Sequence, residues 1–141
     1  MSASLNISRA WNFLRWLIPA ILWGGFITIM SGVPGGTIKV KNFWDLITFD
    51  KFGHVAFYAV FSYLLAVGIY KQHTFKAIRY HGRIYVLCIS VLFGILQEIF
   101  QLLQNDGRSA EFADVIANTA GALAGVAIFN LIFGKVLKET K

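Results

Sequence analysis

The sequence predicts an all-α membrane protein whose helices cross the bilayer four times. Of the 141 residues, 57% are hydrophobic and only 14% are charged, whereas a soluble domain carries about 25% charged residues. Four apolar segments approach the length of about 20 residues that a spanning helix needs. Helices are expected because backbone groups in lipid must satisfy their own hydrogen bonds, and four strands could not close a barrel.

The four spanning helices are expected at about residues 13–30, 52–70, 84–104 and 115–133. The first contains Pro19, and Arg15 lies near its start, where a long side chain can reach the headgroups. No convincing signal-peptide cleavage site follows this segment, so we expect it to be retained. No repeat or soluble linker interrupts the sequence, and residues 1–141 are expected to form a single membrane domain.

The distribution of basic residues predicts the topology. Nine of the thirteen Lys and Arg residues flank one set of helix ends, in the N-terminal flank, the loop at 71–83 and the C-terminal tail. Because cytoplasmic loops are enriched in these residues, both termini are predicted to be cytoplasmic. This pattern also explains the net charge of +6, and we expect no nucleic-acid partner.

Two connecting segments have simple interpretations. Residues 31–49, between the first two spanning helices, begin with turn-forming residues and become amphiphilic around Phe43 and Trp44. We expect this segment to lie on the outer surface as an interfacial anchor, in part as a short helix, with a lid as the alternative. The basic loop at 71–83 is expected to set topology and touch anionic headgroups, and no chemistry is assigned to its histidines.

Polar residues gather where three of the predicted helices meet the outer side of the membrane. They open the second helix (Asp50, Lys51, His54), close the third (Glu98, Gln101) and open the fourth (Asp114, Asn118). His54 and Asn118 each lie about 5 Å, or one helical turn, below the interface. Ionisable groups at membrane depth cost a few kcal/mol and usually mark function. For the two aspartates, helix capping is the alternative interpretation.

Helical spacing places these residues on shared faces. His54 and Tyr58 are four residues apart, and Glu98 and Gln101 are three apart. The row of Asp114 and Asn118 continues into Gly121 and Gly125, where small residues permit a neighbouring helix to approach closely. Such an approach would bring the fourth helix to Glu98, although the same face would also serve a homodimer.

The remaining polar candidate is Arg108, which lies in the external loop at 105–109. It is predicted to pair with a carboxylate or to hold a phosphate by bidentate hydrogen bonds. Cys88 is the only cysteine and lies inside an apolar run, so no disulfide can form within the chain.

These motifs resemble those of the VanZ-like family of small bacterial membrane proteins. The order and spacing agree over residues 50–125, and the matching positions are Asp50, Lys51, His54, Tyr58, Glu98, Gln101, Arg108, Asp114, Asn118, Gly121 and Gly125. Position 55 departs from the family pattern, because the residue after the histidine is often Phe in the family and is Val in this chain. The resemblance implies a four-helix fold in the bacterial cytoplasmic membrane and an envelope-related role linked to resistance to teicoplanin. It implies no accepted reaction.

The favoured function is binding of a lipid-linked envelope molecule or an amphiphilic drug in an outer-leaflet pocket, with membrane lipids as further partners. The substrate-binding candidates are Asp50, Lys51, Tyr58, Gln101, Arg108 and Asn118. Whether the protein is an enzyme is left open. In an enzyme, His54, Glu98 and Asp114 would perform acid–base chemistry on a phosphate- or sugar-bearing lipid.

The same residues have two further interpretations, one structural and one as metal ligands. The polar groups could serve only to hydrogen-bond the helices together. His54, Glu98 and Asp114 could also supply three metal ligands, but their scattered spacing argues against a metal site. We therefore expect neither a metal nor another cofactor.

Overall fold

The computed structural model describes the backbone of residues 2–32, 43–104 and 112–139, and side chains over 7–32, 51–103 and 112–134. Within these ranges every regular element is a helix and no strand is present, which confirms the predicted fold class. The five helices are α1 (Ser2–Ser31), α2 (Phe43–Lys71), α3 (Lys76–Tyr80), α4 (Gly82–Gln104) and α5 (Phe112–Glu139).

Four of these helices are long and apolar enough to cross a membrane, as predicted. The candidate spans are Ile7–Ser31, Lys51–Lys71, Gly82–Leu103 and Phe112–Gly134, with 25, 21, 22 and 23 residues. Each exceeds the minimum of about 17 residues for a spanning helix. The side of the membrane on which the termini lie stays a prediction.

The described parts of the two connecting segments contain more helix than the sequence predicted. The described part of the amphiphilic segment, 43–49, forms the first turns of α2 and runs directly into the span, while residues 33–42 lie outside the described ranges. Helix α3 was not predicted from the sequence and occupies the basic loop. The turn before it is held by Gln72, whose side chain accepts from the Phe75 amide and donates to the Phe75 carbonyl, both at 2.9 Å.

Helix α2 occupies the centre of the bundle, in contact with α1, α4 and α5. Its closest neighbour is α5, because Gly121 and Gly125 present no side chain to it. A Cβ atom at position 125 would overlap Ser62 and the carbonyl oxygen of Ala59. The glycine pair therefore packs within the chain and against α2, whereas a homodimer stays an untested prediction.

The core between the helices consists of aromatic and aliphatic side chains. Phe61 of α2 stacks on Phe93 of α4, with ring centroids 4.9 Å apart, and Tyr58 lies beside both. Large apolar side chains also cover the outside of the bundle, as shown by Leu22 at 69% and Leu131 at 82% exposure. An apolar exterior of this kind is compatible with contact to lipid chains, and polar side chains within the spans are then expected to face the interior of the bundle.

Candidate functional site

Seven predicted site residues lie together at one end of the bundle, where the spans of α2 and α5 begin and that of α4 ends. We call them the polar cluster: Lys51, His54, Tyr58, Glu98, Gln101, Asp114 and Asn118. The five most buried members are Tyr58, Glu98, Gln101, Asp114 and Asn118, each less than a tenth exposed. Two predicted members cannot be placed, because Arg108 and the side chain of Asp50 lie outside the described residues.

An ion pair joins α2 to α5 at the rim of the cluster. The Lys51 ammonium donates to a carboxylate oxygen of Asp114. Asp114 lies in the first turn of α5, where the positive end of the helix dipole also stabilises a carboxylate. Its side chain is 8% exposed, against 22% for Lys51, so the pair lies at the boundary of the bundle interior.

A second polar contact between the same helices lies one turn deeper. His54 Nδ1 is 2.9 Å from Asn118 Oδ1. Because an amide oxygen only accepts, Nδ1 is assigned as the donor in this contact, and a neutral ring then carries its lone pair on Nε2. Asn118 therefore orients the imidazole.

Three titratable groups converge within the cluster. Ligand atoms of His54, Glu98 and Asp114 all lie within 4.8 Å of one another, so α4 meets the α2–α5 pair here. The glycine face of α5 was expected to make this approach to Glu98 possible, but it packs on α2 instead. One cation could contact all three groups at this separation. The Lys51 ammonium already supplies positive charge to Asp114, which opposes a metal ion there by repulsion. The expectation of no metal stays a prediction, and elemental analysis of the purified protein tests it.

Two buried hydrogen-bond donors of the cluster have no acceptor among the described residues. They are the hydroxyl of Tyr58 and the Nδ2 amide of Asn118, on side chains that are 2% and 1% exposed. A Cβ atom at Gly94 would lie 3.2 Å from Asn118 Nδ2 and 3.4 Å from the Tyr58 ring. An unsatisfied buried donor costs about 1–3 kcal/mol, so these atoms favour a bound polar molecule.

Gln97 and Thr28 form a polar contact that was not predicted from the sequence. Gln97 is 7% exposed and donates to Thr28 Oγ1 at 2.8 Å, which extends the polar contacts from α4 to α1. Thr28 in turn donates to the carbonyl of Gly24 at 3.0 Å. The sequence contained a sign of this contact, because Gln97 precedes Glu98 and Thr28 is a polar residue within the first apolar segment.

The comparison with family models decides the family. The model described as VanZ/LLP1 matches residues 14–133, a range that includes every member of the polar cluster. The chain belongs to the VanZ/LLP1 family. This VanZ/LLP1 chain, with its four apolar helices, is a multi-pass membrane protein. Searches against curated proteins and against solved structures returned no match.

Proposed function

We propose that the polar cluster binds the headgroup of a lipid-linked or amphiphilic cell-envelope molecule on the extracytoplasmic side of the bacterial cytoplasmic membrane. The observation that carries this proposal is the convergence of seven polar side chains from three helices at one end of an apolar bundle. Burial of so many polar groups is costly in a membrane protein, and it is typically found at functional sites.

The chemistry of the cluster favours a headgroup rich in hydroxyl or amide groups. The side chains include two carboxylates, two carboxamides, an imidazole, an ammonium and a phenol. This mixture of donors and acceptors matches hydroxyls, which both donate and accept. The Tyr58 hydroxyl and the Asn118 amide would gain their hydrogen bonds from such a ligand. Phosphate recognition by Arg108 stays a separate prediction.

We further propose that binding contributes to resistance to glycopeptide antibiotics of the teicoplanin type. VanZ/LLP1 family membership supports this proposal. Glycopeptides act on cell-wall precursors outside the membrane, which is where the topology prediction places the cluster. A protein that binds precursor or drug in that leaflet would lower the amount of productive drug–precursor complex.

The proposed binding is tested with Tyr58→Phe, which removes one hydroxyl from the cluster and no carbon. Its matched control is Tyr63→Phe, on the same helix but outside the cluster. The probe is a short-chain polyprenyl-diphosphate-linked sugar, measured by native mass spectrometry. We expect Tyr58→Phe to weaken binding about three- to tenfold, which corresponds to one hydrogen bond, and to reduce teicoplanin resistance in a sensitive host.

Stability separates binding from a purely structural role. Because the Tyr58 hydroxyl is buried without a described partner, its removal should leave thermal stability equal or slightly higher. Equal binding by Tyr58→Phe and Tyr63→Phe would overturn the proposal. A large loss of stability in Tyr58→Phe would instead assign the cluster to helix packing.

An acid–base enzyme is the second candidate, favoured by one observation. Ligand atoms of His54, Glu98 and Asp114 lie within 4.8 Å of one another, and Asn118 Oδ1 orients the His54 ring from 2.9 Å. Conversion of the lipid-linked sugar by the purified protein would establish catalysis. In that case His54→Gln should abolish turnover and retain binding, whereas unchanged substrate mass with the unmodified protein excludes turnover of that substrate.

A further inference from the structure

The end of the bundle opposite the polar cluster contains two adjoining cavities of about 440 and 300 Å³. They lie between α1 and the turn that joins α2 to α3, and Arg15, Trp16 and His73 line both of them. Arg9 lines the first, and Lys71 and Arg79 line the second. We call these cavities together the basic pocket.

The walls of the basic pocket are held by packing and by local hydrogen bonds. Gly68 permits α1 to cross α2 closely, because a Cβ atom there would lie 2.5 Å from the carbonyl oxygen of Trp16. Fully buried Gln72 holds the turn through its two bonds to Phe75. Phe75 in turn contacts Phe13 of α1 edge-on, at 5.3 Å.

Aromatic rings hold the cationic groups of the pocket in place. The Arg15 guanidinium and the Lys71 ammonium lie 5.1 and 5.4 Å from the same Trp16 ring. Arg79 lies 4.8 Å from the Tyr70 ring. Cation–π contacts of this kind are favourable, but two cations on one indole also repel each other. An anion between them would relieve that repulsion.

The described lining residues include no acidic side chain. The acidic residues with described side chains, Glu98 and Asp114, belong to the polar cluster at the other end. The positive charge of the basic pocket is therefore not compensated by its own walls. Arginine favours phosphate in such a setting, because its planar fork forms two parallel hydrogen bonds with two oxygens.

The position of the pocket along the spans indicates where the anion comes from. The second span ends at Lys71, and Arg9 lies in the first turn of the first span, so the pocket extends to this end of both spans. Trp and Tyr rings in such positions are typical of the headgroup region. A lipid phosphate would reach the pocket at this depth while its acyl chains remain beside α1.

We propose that the basic pocket binds the phosphate of an anionic lipid headgroup, in the leaflet opposite the polar cluster. This site is independent of the function proposed above. It differs from general attraction between basic loops and anionic membranes, which depends on the number of charges and not on their arrangement. Two guanidinium groups in fixed positions should distinguish one lipid from another.

The test uses the full chain and native mass spectrometry with phosphatidylglycerol and phosphatidylcholine of equal acyl length. The variant is Arg15→Gln with Arg79→Gln. Its control is Lys76→Gln with Arg83→Gln, which removes the same number of charges from exposed residues of the same end that are not among the lining residues. We expect the double variant to bind phosphatidylglycerol at least about tenfold more weakly, which corresponds to one or two charge-assisted hydrogen bonds. The control should bind like the unmodified protein.

Three results would overturn the proposal. The first is equal binding of both lipids, and the second is an equal loss of phosphatidylglycerol binding in the variant and its control. The third is full displacement of the lipid by millimolar inorganic phosphate. The last result would assign the site to soluble phosphate. If circular dichroism shows that the double variant is unfolded, Arg9→Gln with Lys71→Gln replaces it, because both side chains are exposed. The same loss of phosphatidylglycerol binding is then expected, and its absence rejects the pocket.

Discussion

The close packing of α2 against α5 depends on Gly121, and replacement by alanine should disrupt both packing and site. A Cβ atom at position 121 would lie 3.0 Å from Tyr58 Cβ and closer still to the carbonyl oxygen of Val55. Because the backbone of α2 cannot rotate away as a side chain can, the two helices must separate by about 1 Å. Overpacking of this kind costs about 1–3 kcal/mol.

The same separation should affect the contact between His54 and Asn118. His54 directly precedes Val55, and its Nδ1 is 2.9 Å from Asn118 Oδ1. An added 1 Å would exceed hydrogen-bonding distance, which is about 3.2 Å for N–H···O bonds. We therefore expect Gly121→Ala to lower both stability and binding at the polar cluster.

The matched control is Gly134→Ala on the same helix, where a Cβ atom would meet no atom of the described residues within 4 Å. Alanine there should be neutral or should stabilise by up to about 1 kcal/mol, because it favours the helix over glycine. The free energy of unfolding is measured by denaturant titration in detergent micelles, followed by circular dichroism. Equal stability of Gly121→Ala and Gly134→Ala would refute the inferred close contact between α2 and α5.

Three further predictions concern the ion pair, the link to α1 and the topology. Lys51→Met should lower the free energy of unfolding by about 3 kcal/mol, because it leaves the Asp114 carboxylate buried without its cation; a smaller loss in Lys51→Met with Asp114→Leu would verify the coupling. Gln97→Leu should cost about 1 kcal/mol by removing its hydrogen bond to Thr28, and in a Thr28→Val background the extra cost should vanish. In a background without other cysteines, Gly107→Cys should react with an impermeant maleimide from outside; reaction only from the cytoplasm would reverse the predicted orientation and move the polar cluster inside.

The sequence alone determined the number and approximate bounds of the spanning helices. It also indicated which helix ends carry polar residues, and the spacing of Glu98 and Gln101 predicted their shared face. These properties depend on composition along one segment at a time. Hydropathy, helical periodicity and residue identity report them without reference to any other helix.

Only the tertiary structure decided which groups pair. Asp114 bonds to Lys51, Asn118 bonds to His54, and the glycine face of α5 packs on α2. These contacts depend on how far each helix is rotated and which neighbour it meets. A one-dimensional pattern contains neither quantity.

The basic pocket illustrates the same limit. The sequence showed the basic residues of the loop as a topology signal, but not that Arg79 would approach the cavity lined by Arg15. That convergence requires the turn at Gln72 and the close crossing at Gly68. The crossing at Gly68 arises from packing between residues far apart in sequence, and the turn at Gln72 arises from the hydrogen bonds of one side chain. Neither can be read from hydropathy or charge along the sequence.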